Sequence, residues 1–365
     1  MTKSKITYLA VLIAVFVGVG VWMTSDQEST EGKQGRQELV VLSYGGAFAK
    51  AQRAAYFEPF EKETGIRIVD ASYGGEYGKL KAAVESAKST GNTVPWDVID
   101  LEASALIRGK RDDILTSIPS GKVDTAELIP EAVDTHGIGT DFYSVSLGWN
   151  TGAFPSSGPQ PTSWKDFWDV GRFPGPRTMK KDPRFTLEIA LLADGVLPDQ
   201  VYMNGSLDVD RAFKSLEKIK PHISVWWSSG QQPIQLLSDG EVVMAAAFGA
   251  RLNNAQYKDK KPVAMTWKGG ILDIEYWAVP KYARNPEAAF EFIDFASRAD
   301  RQAQFPEFIP LGPANKKAFE IMPEALAKNL NTYPTTFKTQ VVLSAEYWAD
   351  NEKEVLERFN RWLGQ

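Results

Sequence analysis

From position 38 onward, short apolar runs rich in β-branched residues alternate with stretches of helical period. Leu39 to Ser43 reads as a strand, 48–63 as a helix, 66–71 as a strand, 76–89 as a helix and 97–101 as a third strand. Asn92-Thr93-Val94-Pro95 breaks the second helix, and Gly109 marks a turn after the next short one. Strands separated by helices in this way predict an α/β architecture.

The pattern changes at 152–161, a Pro- and Gly-rich connection followed by an aromatic helix over 163–170 and the turn Arg172-Phe173-Pro174-Gly175-Pro176, which reads as entry into a second lobe. Beyond it the periodicity predicts helices over 187–194, 209–218 and 233–238 and strands over 223–227, 242–248 and 275–279. Pro286 opens a helix over 287–297, and 345–363 is a helix rich in Trp, Phe and charge.

The first 37 residues follow another rule. Lys3 and Lys5 precede an uncharged apolar stretch over 6–23, so 1–24 reads as an export signal peptide or a retained membrane anchor, and 25–37 as a flexible polar tether. Either way the body is expected in the periplasm or otherwise outside the cytoplasm. The chain has 365 residues, 43% hydrophobic and 24% charged, enough for two compact units. A net charge of −5 with no basic stripe argues against nucleic acid as a partner. With no cysteine, the chain has no disulfides, thiolate metal sites, cysteine nucleophiles or lipidated N-terminal cysteine.

Four places carry candidate chemistry. Tyr44-Gly45-Gly46 follows the first strand, where free backbone N–H groups and two glycines would suit a small ligand or form a plain tight turn. Glu102 ends the third strand on the same face as Asp100, as a cation ligand or as an acid favoured at a helix start. In Trp226-Trp227-Ser228-Ser229-Gly230 one indole can stack on a ligand while the other packs in the core. Asp273 and Glu275 share one strand face beside Tyr276 and Trp277, a pair suited to an organic dication or to glycosidase acid–base work. His136 and His222 lie in no metal spacing, and no Gly-x-Ser-x-Gly elbow occurs.

The stretches LSYGGAFAKAQRAAYFEPFEKETGIRI (42–68), LLSDGEVVMAAAFGARL (236–252) and GGILDIEYWAVPKYARNPEAAFEFIDFAS (269–297), with PTSWKDFWDVGRFPGPR (161–177), FIPLGPANKKA (308–318) and EYWADNEKEVLERFNRWL (346–363), resemble the periplasmic spermidine/putrescine-binding proteins of ABC importers. That resemblance implies a two-lobed type II periplasmic binding fold with the ligand cleft between lobes, and no enzymatic activity or cofactor. It assigns 38–146 with 277–332 to lobe 1 and 147–276 with 333–365 to lobe 2. It also carries ligand roles to Tyr44, Asp182 and Phe248, with Glu275 as principal ammonium-binding acid. The chain departs from the family at Asp273, where polyamine binders commonly carry Trp, and at Phe185, where a second acid is usual. Arg251 would repel a dication but pair with the carboxylate of a zwitterion such as an opine, betaine or amino acid.

The expectation is a monomeric solute-binding protein that closes on a polyamine or similar organic cation and hands it to an ABC permease. Its candidate contacts are Tyr44, Gly45, Gly46, Glu102, Asp182, Trp227, Phe248, Arg251, Asp273 and Glu275. Alternatives are a zwitterionic ligand in the same fold, an exported glycosidase using Asp273, Glu275 or Glu102, and a receptor-linked or scaffold role.

Overall fold

A computed structural model describes residues 37–364. The expected signal or anchor segment, and the tether up to Arg36, lie outside the described residues. Among the described residues eleven strands organise the body: β1 Glu38–Tyr44, β2 Arg67–Tyr73, β3 Val98–Glu102, β4 Leu115–Thr116, β5 Gly137–Asn150, β6 Arg177–Lys180, β7 Ile223–Trp227, β8 Met244–Phe248, β9 Val263–Pro280, β10 Gly312–Pro313 and β11 Val341–Val342. Eight of them run in the order β2-β1-β3-β9-β5-β8-β6-β7, and β4 joins the end of β9. The outer groups β2-β1-β3 and β8-β6-β7 are parallel within themselves, and β9 and β5 run antiparallel through the centre.

Side-chain alternation divides each part of the sheet between two cores. Val41, Val98, Trp277 and Val279 face Tyr56, Phe60 and Phe292 on one side, while Leu42, Leu101, Ile274 and Tyr276 meet Leu80, Val84 and Leu106 on the other. On β8, Met244 and Ala246 point toward Leu187, Leu216 and Trp348, and Ala245 and Ala247 toward Leu237 and Leu252. Each fully buried large side chain contributes about 1.5–3 kcal/mol on leaving water, so the sheet is held from both faces.

Most expected elements appear, with informative exceptions. The helix expected over 48–63 is a continuous helical run whose middle, Arg53–Phe57, widens into π geometry. β5 has no counterpart in the sequence pattern, because nearly every residue in it is buried and covering both faces erases the polar–apolar alternation. Two bulges and three glycines weaken the signal further. β9 is far longer than the expected 275–279, since Lys268-Gly269-Gly270, with Gly269 at φ +74°, reads as a turn although the strand continues through it. β6 was too short and too polar to register. The helix expected from 187 begins at Pro183, where Asp182 caps it by accepting from the Arg184 N–H. Arg184 and Phe185 are non-helical, Phe185 at φ +74°, so the regular turns start beyond them.

Candidate ligand-binding site

The acids gather because of strand register. β3 pairs with β9 so that Glu102 stands opposite Glu275, and β9 pairs with β5 so that Glu275 stands opposite Asp141. Paired residues of antiparallel strands share a face, so three carboxylates form a row across three strands. Asp100, two residues before Glu102, lies on the same face, and Asp273 stands in the next row opposite Tyr143. Asp100 is anchored by Ser43 Oγ and Gln52 Nε2, each donating to its Oδ2 at 2.8 Å.

Two cations enter this field from the other part of the sheet. Arg184 donates from Nη1 to Glu102 Oε2 at 2.5 Å and lies 3.7 Å from Asp273 Oδ2. The Tyr143 hydroxyl sits between the same acids, 2.9 Å from Asp273 Oδ2 and 3.2 Å from Glu102 Oε1. Lys180 donates to Asp182 Oδ2 at 2.7 Å, and the other oxygen of Asp182 accepts the Arg184 backbone N–H at 2.9 Å.

The electrostatics split along these contacts. Burial pushes Glu102 up, but the charge and hydrogen bond of Arg184 bring it below its ordinary range. Asp182 is likewise lowered, burial being outweighed chiefly by the charges of Lys180 and Arg184. Asp273 is raised by burial to about 6 despite Arg184. Burial first, then the charges of Asp100, Glu102, Asp141 and Asp273, hold Glu275 well above the carboxylate range. Burial raises Asp100 to about 7, and burial with the charge of Asp100 raises Asp141 well above its usual value. Among the described residues, Glu275 Oε2, Asp141 Oδ1 and Asp100 Oδ1 are buried with no hydrogen-bond partner.

Aromatic rings border the cluster. Tyr44 stacks on Tyr73 at 5.5 Å between centroids and meets Phe48 edge-on at 5.9 Å. Its hydroxyl is pushed up by burial and then by the charges of Glu275 and Glu102. Phe248 contacts Tyr143 at 6.1 Å and Trp227 at 5.4 Å, and the Lys180 ammonium sits 4.8 Å from the Phe185 ring centroid.

Of the sequence candidates, Tyr44, Glu102, Asp182, Asp273 and Glu275 come together, with Phe248 at their edge through Tyr143. Trp227 is 0% exposed behind Phe248 and donates its indole N–H to the Ala246 carbonyl at 2.8 Å. Gly45 and Gly46 are exposed, Gly45 as the N-cap and Gly46 as the first residue of the helix Gly46–Gln52, with Gly46 at φ +71°, a conformation that favours glycine. Arg251 is exposed and donates to Gln231 Oε1 at 3.0 Å. Gly230 packs so closely there that a Cβ would come within 2.8 Å of the Phe248 ring and 3.0 Å of Arg251 Nε. Among the described residues Arg251 has no carboxylate partner, and no cluster suited to a metal ion occurs.

Lys180, Arg184, Asp141 and Tyr143 were not among the candidates. Asp141 and Tyr143 lie on the strand that the sequence pattern hides. Arg184 carried a signal: a cation in the first turn of a helix opposes the helix dipole and needs an anionic partner elsewhere.

Residues 55–337 match the family model described as bacterial extracellular solute-binding protein. The chain is 38% identical over 332 residues to a gamma-aminobutyric acid-binding protein of Pseudomonas aeruginosa, covering 90% of this chain and 92% of that protein. It is 23% identical over 291 residues to the spermidine/putrescine-binding periplasmic protein of Escherichia coli, covering 76% and 78%. The crystal structure of an ABC transporter substrate-binding protein from Bradyrhizobium japonicum superposes with a TM-score of 0.82 at 36% identity, over 90% of this chain and 99% of that one. Two-lobed α/β architecture and sequence match agree: the chain belongs to the bacterial extracellular solute-binding protein family, as a substrate-binding component of an ABC transporter and not an enzyme.

Proposed function

We propose that this protein captures a small zwitterion with one ammonium and one carboxylate, of the γ-aminobutyrate class, outside the cytoplasm and delivers it to an ABC permease. The observation that carries this reading is the charge balance. Glu102, Asp273 and Asp182 are already engaged by Arg184 and Lys180. Glu275 keeps an unpartnered oxygen, and Arg251 has a guanidinium with no acid on it. Glu275, less deeply buried than the equally unpartnered Asp100 and Asp141, and Arg251 suit one ligand ammonium and one ligand carboxylate, with Tyr44 and Phe248 against the methylenes. Binding of γ-aminobutyric acid by the 38% identical relative supports the same class.

The polyamine reading draws on the row Glu102–Glu275–Asp141, which favours positive charge, and on the more distant polyamine-binding relative. It leaves Arg184, Lys180 and Arg251 without a purpose. The ligand is taken to sit between two lobes, 38–146 with 277–332 and 147–276 with 333–365, closing by a hinge.

Calorimetric titration of the purified full chain with γ-aminobutyrate, putrescine and spermidine tests the assignment. Micromolar or tighter binding of γ-aminobutyrate with at least tenfold weaker polyamine binding is expected, a gap of about 1.4 kcal/mol. The reverse order would return the site to polyamines.

A further inference from the structure

Two ammonium groups on one ligand need two acids with room for a cation beside each. Glu275 can serve one. Of the neighbouring acids, Asp100 and Asp141 are 0% and 1% exposed, while Glu102, Asp273 and Asp182 are each covered by a cation that belongs to the protein, and Arg184 covers two of these three. Its guanidinium bonds Glu102 at 2.5 Å, lies 3.7 Å from Asp273, and carries a side chain only 9% exposed.

The local backbone is shaped to send it there. Asp182 caps the helix, Pro183 fixes the first helical position, and Arg184 then leaves helical geometry at φ −63°, ψ 132°. Phe185 follows at φ +74°, a left-handed conformation that strains a non-glycine residue. The Phe185 ring then lies 5.6 Å from the Arg184 guanidinium and 4.8 Å from the Lys180 ammonium. A strained turn that delivers a cation onto carboxylates of two other strands implies a use for that cation.

We propose that Arg184 is a specificity-determining residue, a built-in counter-ion standing where the second ammonium of a diamine would have to bind, so that only ligands with a single ammonium enter. The proposal rests on the zwitterion reading for what the wild-type site accepts. It goes beyond that reading in naming the group that turns diamines away. Exclusion of this kind works by removing an interaction from the wrong ligand and leaves the right one untouched.

The test compares the purified full chain with Arg184→Gln, Arg184→Lys and the double variant Glu102→Gln/Arg184→Gln by calorimetry with putrescine and γ-aminobutyrate. Arg184→Gln uncovers Glu102 and Asp273, so putrescine affinity should rise about tenfold or more, and its ratio to γ-aminobutyrate should move by at least that factor. Arg184→Lys keeps the charge and should retain the exclusion. The double variant should lose much of the gain, because Glu102 is no longer an acid. If Arg184→Gln does not fold, Arg184→Met, which keeps an aliphatic stem, carries the same measurement. Putrescine affinity unchanged in the neutral variants, or both ligands weakened alike, would overturn the proposal and reduce Arg184 to a structural tie. The zwitterion reading is judged separately, on the wild-type preference alone, so either idea can fail without the other.

Discussion

Asp141 and Glu275 stand directly opposite each other on β5 and β9, buried, and among the described residues neither is paired with a cation. Burial first, then the charge of Asp100 on both and those of Glu102, Asp141 and Asp273 on Glu275, hold both carboxyls well above the usual range. Such a pair is poor for stability. It is suited to receiving a positive charge from outside the protein.

Glu275→Gln is therefore expected to separate binding from folding. Affinity for the ammonium ligand should fall by about 2–5 kcal/mol, the cost of removing one partner of a desolvated charge pair. The ligand-free protein should melt at the same temperature or higher, because a buried acid without a partner has been replaced by a neutral amide. Calorimetry and thermal denaturation of the same preparation check both halves. Unchanged affinity removes Glu275 from the site.

Capture should depend on pH with a definite sign. An ammonium needs ionised carboxylates, and burial raises Asp273 to about 6 and holds Glu275 well above the ordinary carboxylate range. These raised acids hold protons that the ligand must displace, so affinity should strengthen as pH rises through 6 toward 8 and weaken as it falls toward 5. Proton release on binding, measured as a dependence of the calorimetric heat on the ionisation enthalpy of the buffer, gives an independent reading. Affinity flat between pH 5 and 8 would contradict it.

Arg251→Gln should act only on the carboxylate end. γ-Aminobutyrate should bind about 1.5–3 kcal/mol more weakly, the worth of a charge-assisted hydrogen bond, while n-butylamine, which lacks the carboxylate, should bind both proteins equally. Competition titrations of the two ligands make the comparison. Equal losses would place Arg251 outside the carboxylate subsite.

Glu188 offers a stability test away from the ligand. It is fully buried and accepts hydrogen bonds from the Tyr202 hydroxyl and, at 2.8 Å, from Trp348 Nε1. Burial raises it from an ordinary 4.5 to about 7. The folded state then binds the proton more tightly than the unfolded chain, so this group's contribution is complete below pH 4.5 and is lost as pH rises to 7. Glu188→Gln keeps an acceptor for both donors and should raise stability at pH 8 by at most about 3 kcal/mol, with little effect at pH 4. Chemical denaturation at the two pH values measures the difference.

What could be read in advance follows from the range of the interactions. Asp273 and Glu275 on one strand face, Pro286 at a helix start and the terminal helix Ala345–Leu363 all rest on local spacing, and the structure places them as that spacing implies. The meeting of Glu102 with Glu275 depends on β3 pairing with a strand more than 150 residues later, for which no local pattern exists. The same holds for Arg184 reaching Glu102 across 82 residues. A two-sided burial hid β5, and with it Asp141 and Tyr143. Trp227 looked like an exposed stacking ring because strand alternation shows which face a residue shares, but not whether another ring, here Phe248, stands in front of it.

The position of β9 between β3 and β5 also governs when the protein can finish folding. β3 and β5 do not touch as sheet neighbours; the strand that joins them is Val263–Pro280, late in the chain. While that strand is missing, β1, β2 and β3 end in an open edge, and the face carrying Val98 and Ile138 has no Trp277 to close it. Sheets completed by so distant a segment form slowly, so the amino-terminal half stays unlocked until residue 280 is available.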